Sequence, residues 1–299
     1  MYYTMANALS REGYNTYAYH NHYYAYYDRD LTHENLGYDV WMGIGNGMEA
    51  YVEEQWPESD LEMVEGTTQL FLNSDAPFHV YYLTVSGHTE YNFDGNAMAY
   101  KNMNEISDTT SSSAVRAIKA ADMELEKALT KLLDDLEKAG KLDDTVIVLS
   151  PDHYPYGLSD NDYNELAGKT LDTNFERYHN TLIIYNSAMD ENVVVDKPCS
   201  DIDVLPTLLN LFGIDYDSRL LMGKDILSNS SPLVVFQNYS WITDKGRYNG
   251  DTGEFIPNEG VDIPDGYVKT ISNIVTNKVL YSEYILETNY YDLVFSDHK

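Results

Sequence analysis

Apolar and polar positions alternate between helix-like and strand-like spacing along most of the chain. The clearest helix is predicted over residues 113–139, and Gly140 closes it. Its apolar residues recur three, four or seven positions apart, which places them on one helix face: Val115, Ile118, Leu125, Leu129, Leu132 and Leu136. Residues 145–150 follow as an unbroken aliphatic run. A run without polar alternation predicts a strand buried on both faces of a parallel sheet.

The same alternation extends over the first three quarters of the chain. Further helices are predicted over residues 5–12, 61–72 and 203–212, and a polar loop over residues 154–178. Further strands are predicted over residues 15–19, 78–85 and 181–185. Strands that alternate with helices favour a mainly parallel sheet flanked by helices. We therefore predict an α/β fold whose strands near Tyr17, Tyr82, Val148 and Ile183 are mostly parallel.

The pattern changes at Pro232. Short strand-like pieces separated by turns occupy residues 233–238, 240–243 and 247–249, and an amphipathic helix is predicted over residues 267–287. We therefore predict an α/β domain over residues 1–231 and a small carboxyl-terminal α+β subdomain over residues 232–299.

The amino-acid composition and net charge limit the kinds of partner that the chain can bind. With 299 residues, 43% of them apolar, the chain can bury a sizeable core. Its 49 acidic and 19 basic side chains give a net charge of −30, which repels nucleic-acid phosphates and anionic membrane surfaces. We therefore expect no nucleic-acid partner. The sequence also shows no targeting segment and no stretch of the ~20 apolar residues that a membrane helix needs.

The first candidate site residues are Asp152 and His153, which closely follow the aliphatic run. Ligands of parallel sheets bind beyond the carboxyl ends of strands. A carboxylate beside an imidazole suits a borderline divalent ion such as Zn²⁺ or Mn²⁺. The alternative is that the pair only caps a turn.

Two other predicted strands also end at histidines, His20 and His88. A histidine taken alone is more often a hydrogen-bonded structural residue than a ligand, but the shared placement at strand ends favours a site. Arg29 lies nearby in sequence, and its planar guanidinium can hold a phosphate or sulfate at two points. We expect these three residues to face one pocket together with Asp152 and His153.

Several short segments, taken in order, resemble lipoteichoic acid synthase and its relatives, phosphoglycerol transferases of the sulfatase and alkaline phosphatase superfamily. They are residues 13–20 (GYNTYAYH), 27–30 (YDRD), 35–39 (NLGYD), 86–88 (SGH) and 152–153 (DH). Residues 201–214 and 219–225 are similar to a later helix and loop of the family. Each segment alone is weak, but their order is specific, and the similarity extends over essentially the whole chain.

The resemblance implies an alkaline phosphatase-like fold and metal-dependent transfer of phosphoglycerol, or a related phospho-alcohol, from a lipid or polymer substrate to a cell-surface polymer. It implies one divalent ion, Mn²⁺ first with Mg²⁺ or Zn²⁺ as alternatives, and makes Asp152 and His153 two of its ligands. His88, and His20 with Arg29, would hold the phosphoglycerol group. Tyr27 stands where the family's transferases tend to have a tryptophan and would offer a flat surface to the substrate. His22 and His33 match no family role.

The resemblance also implies groups that we do not find here. The family's threonine nucleophile and a further acidic ligand lie upstream of the segment that matches residues 13–20, and Thr4 lacks the strand–turn–helix setting of a nucleophile. We therefore expect the amino-terminal part of the catalytic domain, and the membrane region that holds full-length relatives at the outer face of a bacterial membrane, to be missing. The isolated chain would then bind metal weakly and lack turnover.

Other functions fit parts of the sequence. A sulfatase or phosphodiesterase of the same superfamily would use the same sheet edge, but a sulfatase needs a formylglycine-forming cysteine. Cys199 lies beyond the Asp-His pair, outside any Cys-x-Pro-x-Arg motif. A non-catalytic surface module could instead bind glycans or anions through some of the 28 tyrosines.

Overall fold

The computed structural model of the protein describes residues 1–295. The chain forms two compact units, one comprising residues 9–190 and the other residues 1–8 with residues 191 onward. The division between residues 231 and 232 stays a prediction.

The unit of residues 9–190 contains five strands and most of the helices. In chain order its elements are α1 (Met5–Arg11, which begins in the other unit), β1 (Asn15–Tyr23), α2 (Arg29–Leu36), β2 (Val40–Ile44), α3 (Asp60–Leu72), β3 (Phe78–Leu83), α4 (Ala97–Asn102), α5 (Ser113–Lys138), β4 (Ile147–Leu149), α6 (Asp160–Ala167) and β5 (Ile183–Tyr185). Ser59 and Ser112 begin α3 and α5, because each side chain accepts a hydrogen bond from a backbone N–H of the first turn.

A three-stranded parallel sheet forms the centre of this unit, in the order β2-β1-β3. Tyr17 of β1 pairs with Val40 on one side and Val80 on the other. The core lies between this sheet and α3 and α5, where Tyr19, Met63, Phe71 and Leu136 are almost fully buried. Parallel strands covered by helices confirm the predicted α/β class.

The prediction for residues 145–150 was wrong in two respects. β4 pairs antiparallel with β5, through Val148 and Ile184, and forms a separate two-stranded sheet. It is also half-buried rather than buried on both faces. Ile147 packs against the core, which explains the apolar sequence. An aliphatic run indicates a packed strand but does not specify its neighbour.

Three other elements differ from the sequence prediction. β1 continues to Tyr23, so His20 lies inside the strand rather than after it. β2 was not predicted. The expected polar loop over residues 154–178 contains α6, which Ser159 caps at its start and Gly168, at φ +68°, ends.

The unit that includes residues 191 onward carries α7 (Val204–Leu211), β6 (Val234–Val235), β7 (Trp241–Thr243), β8 (Gly246–Tyr248), β9 (Phe255–Pro257), α8 (Tyr267–Glu287) and α9 (Tyr290–Phe295). The four strands form one antiparallel sheet in chain order. Fully buried Trp241 stacks on Tyr248 and donates a hydrogen bond from Nε1 to Ser272 Oγ of α8, which holds the helix to the sheet. Within residues 1–295, no helix has the length and apolar character needed to cross a membrane.

Candidate functional site

The loops after β3 and β4 bring His88 and His153 into contact. Their rings meet edge to face with centroids 5.4 Å apart. Tyr156 lies against both rings, and its hydroxyl is 3.2 Å from His88 Nε2. Two of the three predicted strand-end positions are therefore neighbours, although the two strands belong to different sheets.

The side chains of Asp152 and His153 bring one oxygen and one nitrogen within 4 Å of each other. Oδ2 of Asp152 lies 3.9 Å from Nε2 of His153, so one ion could lie ~2.0 to 2.2 Å from both atoms. His153 Nδ1 is 2.9 Å from the Tyr154 carbonyl oxygen. If Nδ1 donates this bond, Nε2 keeps its lone pair, which is the arrangement of metal-binding histidines.

The donor set around this pair is small. The side chains of Asp152 and His153 are 74% and 36% exposed. Within residues 1–295, no group of three or more His, Cys, Asp or Glu side chains could hold a metal ion. The pair therefore offers two ligands of a divalent ion, and water or substrate oxygens would have to supply the others.

His20 has a different setting from the other candidate residues. It is buried in β1, and its Nδ1 lies 2.9 Å from the carbonyl oxygen of Leu83 in β3. Burial is the main reason that its pKa falls from 6.5 to about 4, and the positive charge of Arg29 lowers it further. His20 is thus a neutral imidazole beneath the surface at neutral pH.

Arg29 begins α2, directly after two residues in the left-handed region, Tyr27 at φ +57° and Asp28 at φ +54°. Its guanidinium lies over the rings of Tyr26 and Tyr27, 5.7 and 5.5 Å from their centroids, and donates a hydrogen bond to the Tyr26 carbonyl oxygen. This packing holds the cation in place and keeps it partly open to solvent.

Electrostatics link Arg29 to Asp152. Burial is the main cause of the raised pKa of Tyr81 in β3; the negative charge of Asp152 raises this pKa further, while Arg29 lowers it. Both charges therefore act on the same side chain. Burial also lowers the pKa of His88, which favours the neutral form of this imidazole.

Sequence reasoning missed other residues of this region. His22 contacts both His20 and Trp56, and the Trp56 ring contacts His88, with centroid distances of 5.9, 5.3 and 5.3 Å. The spacing of His20 and His22, two residues apart on one strand, places both on the same face and could have identified His22. Trp56 and Tyr156 lie outside helices and strands, where no periodicity marks them.

Asp60 at the start of α3 was also missed. Its Oδ1 accepts hydrogen bonds from Asn21 Nδ2 (2.8 Å), Val85 N (2.9 Å) and Ser86 N (3.2 Å), and its Oδ2 accepts one from Ser86 Oγ. Asn21 separates His20 from His22, whereas Ser86 begins the turn that carries His88. One buried carboxylate thus joins both histidine-bearing segments.

Comparison with known proteins agrees with this architecture. The family model described as "Sulfatase" matches residues 2–214. Lipoteichoic acid synthase 1 of Bacillus subtilis (strain 168) is 26% identical over 263 residues, covering 82% of this chain and 39% of that protein. Lipoteichoic acid synthase of Staphylococcus saprophyticus is 25% identical over 245 residues, with 80% and 37% covered. The chain spans about two fifths of the length of these curated relatives.

Two solved structures show the same fold. The crystal structure of the lipoteichoic acid synthase LtaP from Listeria monocytogenes matches with a TM-score of 0.76 at 20% identity, covering 95% of this chain and 72% of that one. A protein of the alkaline phosphatase superfamily from Vibrio parahaemolyticus matches with a TM-score of 0.67 at 18% identity, covering 96% and 69%. The predicted alkaline phosphatase-like fold is confirmed. Because the Sulfatase match extends over well more than half of the 299 residues, this chain belongs to the Sulfatase family.

Proposed function

We propose that this chain contributes the metal and phosphate contacts of an enzyme that transfers phosphoglycerol, or a related phospho-alcohol, to a cell-surface polymer at the outer face of a bacterial membrane. The 3.9 Å pair of Asp152 Oδ2 and His153 Nε2, in the same neighbourhood as Arg29 and His88, carries this proposal. The names of the relatives, which are lipoteichoic acid synthases, support the same reaction class.

Asp152 and His153 would hold one divalent ion. A carboxylate with an imidazole suits Mn²⁺ and Zn²⁺, and we propose Mn²⁺ first, with Mg²⁺ or Zn²⁺ as alternatives. Such an ion lowers the pKa of an attacking hydroxyl and draws charge from phosphoryl oxygens. The Tyr154 carbonyl oxygen would fix the His153 ring so that Nε2 faces the ion.

Arg29 would bind the phosphoryl oxygens, because a guanidinium forms short, charge-assisted hydrogen bonds to phosphate. The aromatic rings below it already order the side chain. Tyr27 would contact the glycerol moiety, and His88 would hydrogen-bond a substrate oxygen in place of the Tyr156 hydroxyl. His20, buried behind this surface, would position its neighbours.

The proposal assigns no nucleophile within residues 1–299. Thr4 Oγ1 accepts a hydrogen bond from the Asn7 N–H at the start of α1, which is the role of a helix cap. The chemistry of this chain is thus the binding of a metal ion and of a phosphoryl group.

Isothermal titration of the chain with Mn²⁺ tests the proposal. We expect weak binding by the wild type and loss of binding in Asp152→Ala and in His153→Ala, because each change removes one of two protein ligands. Asp134→Ala and His179→Ala, at exposed positions elsewhere, are matched controls and should bind as the wild type does. Equal Mn²⁺ affinity in the wild type, Asp152→Ala and His153→Ala would rule out this metal site.

A further inference from the structure

Four large aromatic side chains surround the candidate site and are open to solvent. Tyr26, Tyr27, Trp56 and Tyr156, here named the aromatic rim, are 47%, 76%, 38% and 50% exposed. Soluble proteins seldom leave several large rings together at the surface, and such groups mark ligand-binding surfaces. Tyr26 and Tyr27 are adjacent in one turn, whereas Trp56 and Tyr156 belong to two other loops, so the fold brings three separate segments together.

Two histidines connect the rim into a continuous surface. The Tyr26 and Tyr27 rings are 4.4 Å apart, and His22 lies 5.3 Å from Tyr26 and 5.3 Å from Trp56. His88 then links Trp56 to Tyr156, at 5.3 and 5.8 Å.

Tyr26 and Tyr156, which lie toward opposite ends of this series of rings, also interact electrostatically. The pKa of Tyr26 is raised, first by a hydrogen bond to Tyr27 and also by the Tyr156 hydroxyl.

Charge indicates what such a surface would bind. The chain carries a net charge of −30, so a long polyanion is repelled over most of its surface. The rim itself consists of uncharged rings and hydroxyl groups, and Arg29, which packs on the Tyr26 and Tyr27 rings, supplies a positive charge suited to one phosphoryl group. A neutral molecule with flat apolar faces and many hydroxyl groups matches this combination. Sugar rings have both properties, because the C–H face of a pyranose stacks on an aromatic ring while its hydroxyl groups bind water or tyrosine.

We propose that the aromatic rim binds the neutral sugar residues of a glycan acceptor, next to the phosphoryl group held by Arg29 and the Asp152–His153 pair. This inference rests on the proposed function and specifies its acceptor. In the transfer, a sugar hydroxyl oxygen forms the new bond to phosphorus, directly or after a covalent intermediate. The bond from phosphorus to the alcohol oxygen of the donor breaks. The sugar hydroxyl loses its proton, and the released alcohol gains one.

The test measures retention of the chain on two kinds of immobilised probe. One kind is a panel of neutral hexasaccharides built from glucose, galactose, rhamnose or N-acetylglucosamine, and the other is poly(glycerol phosphate). We expect retention on at least one neutral sugar and weaker retention on the polyanion. Tyr27→Ala and Tyr156→Ala should each weaken sugar binding about three- to tenfold, the size expected for loss of one ring contact.

Matched variants separate stacking from general effects on the fold. Tyr27→Phe and Tyr156→Phe keep the ring and should retain most of the affinity. Tyr100→Ala removes a tyrosine outside the rim that is 65% exposed, between the values of Tyr27 and Tyr156, and this variant should bind as the wild type does. Circular dichroism would confirm that all five variants are folded.

Two outcomes would overturn the inference: retention on none of the neutral sugars, or tighter binding to poly(glycerol phosphate) than to every neutral sugar. Mn²⁺ titration of the same preparation distinguishes this failure from failure of the proposed function. If Mn²⁺ binds through Asp152 and His153 but no neutral sugar retains the chain, the assignment of a glycan acceptor is wrong and the proposed function still stands.

Discussion

Nδ1 of His22 lies 2.7 Å from Oε1 of Glu58, a carboxylate whose side chain is 1% exposed. Among residues 1–295, Oε2 of the same carboxylate has no hydrogen-bond partner. Buried carboxylates depend strongly on such partners, because desolvation penalises them and hydrogen bonds offset the penalty. The pair also fixes the His22 ring between Tyr26 and Trp56.

His22→Ala should therefore destabilise the protein by about 2 to 4 kcal/mol, since it leaves Glu58 buried without its imidazole partner. Glu58→Gln in the His22→Ala background should recover part of this loss. Urea unfolding of the wild type, both single variants and the double variant gives the coupling energy. Additive effects in this cycle would show that the two side chains do not stabilise each other.

Asp60→Ala should be among the most destabilising substitutions in the unit of residues 9–190. It leaves the Asn21 amide and two backbone N–H groups without their buried acceptor, which should cost more than about 3 kcal/mol. Urea unfolding measures the loss. Asp134→Ala on the exposed side of α5 is the control and should change stability by less than about 0.5 kcal/mol. An equally small change in the stability of Asp60→Ala would contradict the inference that this carboxylate holds the two histidine-bearing segments together.

The long helices could be predicted closely because their signals are local. The apolar spacing predicted residues 113–139 and 267–287, and the structure has α5 at Ser113–Lys138 and α8 at Tyr267–Glu287. Helical periodicity needs no information from the rest of the chain. Strand pairing does, and the antiparallel partnership of Val148 with Ile184 joins segments that are far apart in sequence.

The residues of the site also differ in whether local sequence could indicate them. Asp152 and His153 are adjacent in sequence, so a single strand end indicated both. The contacts of Trp56 with His22 and His88 form only when β1 and the loop after β3 come together. Neither residue spacing nor composition marks such a contact before the fold is known.

Arg29→Ala should weaken binding of glycerol phosphate at least tenfold, because it removes a charge-assisted contact to the phosphoryl oxygens. Arg29→Lys should restore only part of the affinity, since an ammonium group lacks the planar, two-point geometry. Calorimetry measures both. Arg219→Ala, which removes an exposed arginine in the other unit, controls for the change in net charge. Equal weakening by Arg219→Ala would mean that general electrostatics, not a site at Arg29, binds the ligand.

His79 of β3 should make the folded state less stable as the pH is lowered from about 6.5 to 4. Burial lowers its pKa from 6.5 to about 4, and its buried Nε2 has no hydrogen-bond partner within residues 1–295. Between these two values the unfolded state binds a proton that the folded state does not. Neutral His79 therefore contributes fully to the free energy of unfolding above pH 6.5. This contribution is lost as the pH falls through this window, and the free energy of unfolding changes by up to about 1.4 kcal/mol per pH unit.

His79→Phe keeps an aromatic ring next to Tyr38 but cannot take up a proton. Urea unfolding at pH 7 and pH 5 should therefore show that acidification is less unfavourable to the stability of His79→Phe than to that of the wild type. His179→Phe, at an exposed position, should leave the slope as it is. Other titrating groups, including His20, whose pKa burial also lowers to about 4, contribute equally to the wild type and to both variants. Because they cancel in this comparison, an unchanged slope in His79→Phe would mean that His79 accepts its proton in the folded protein as readily as in the unfolded chain.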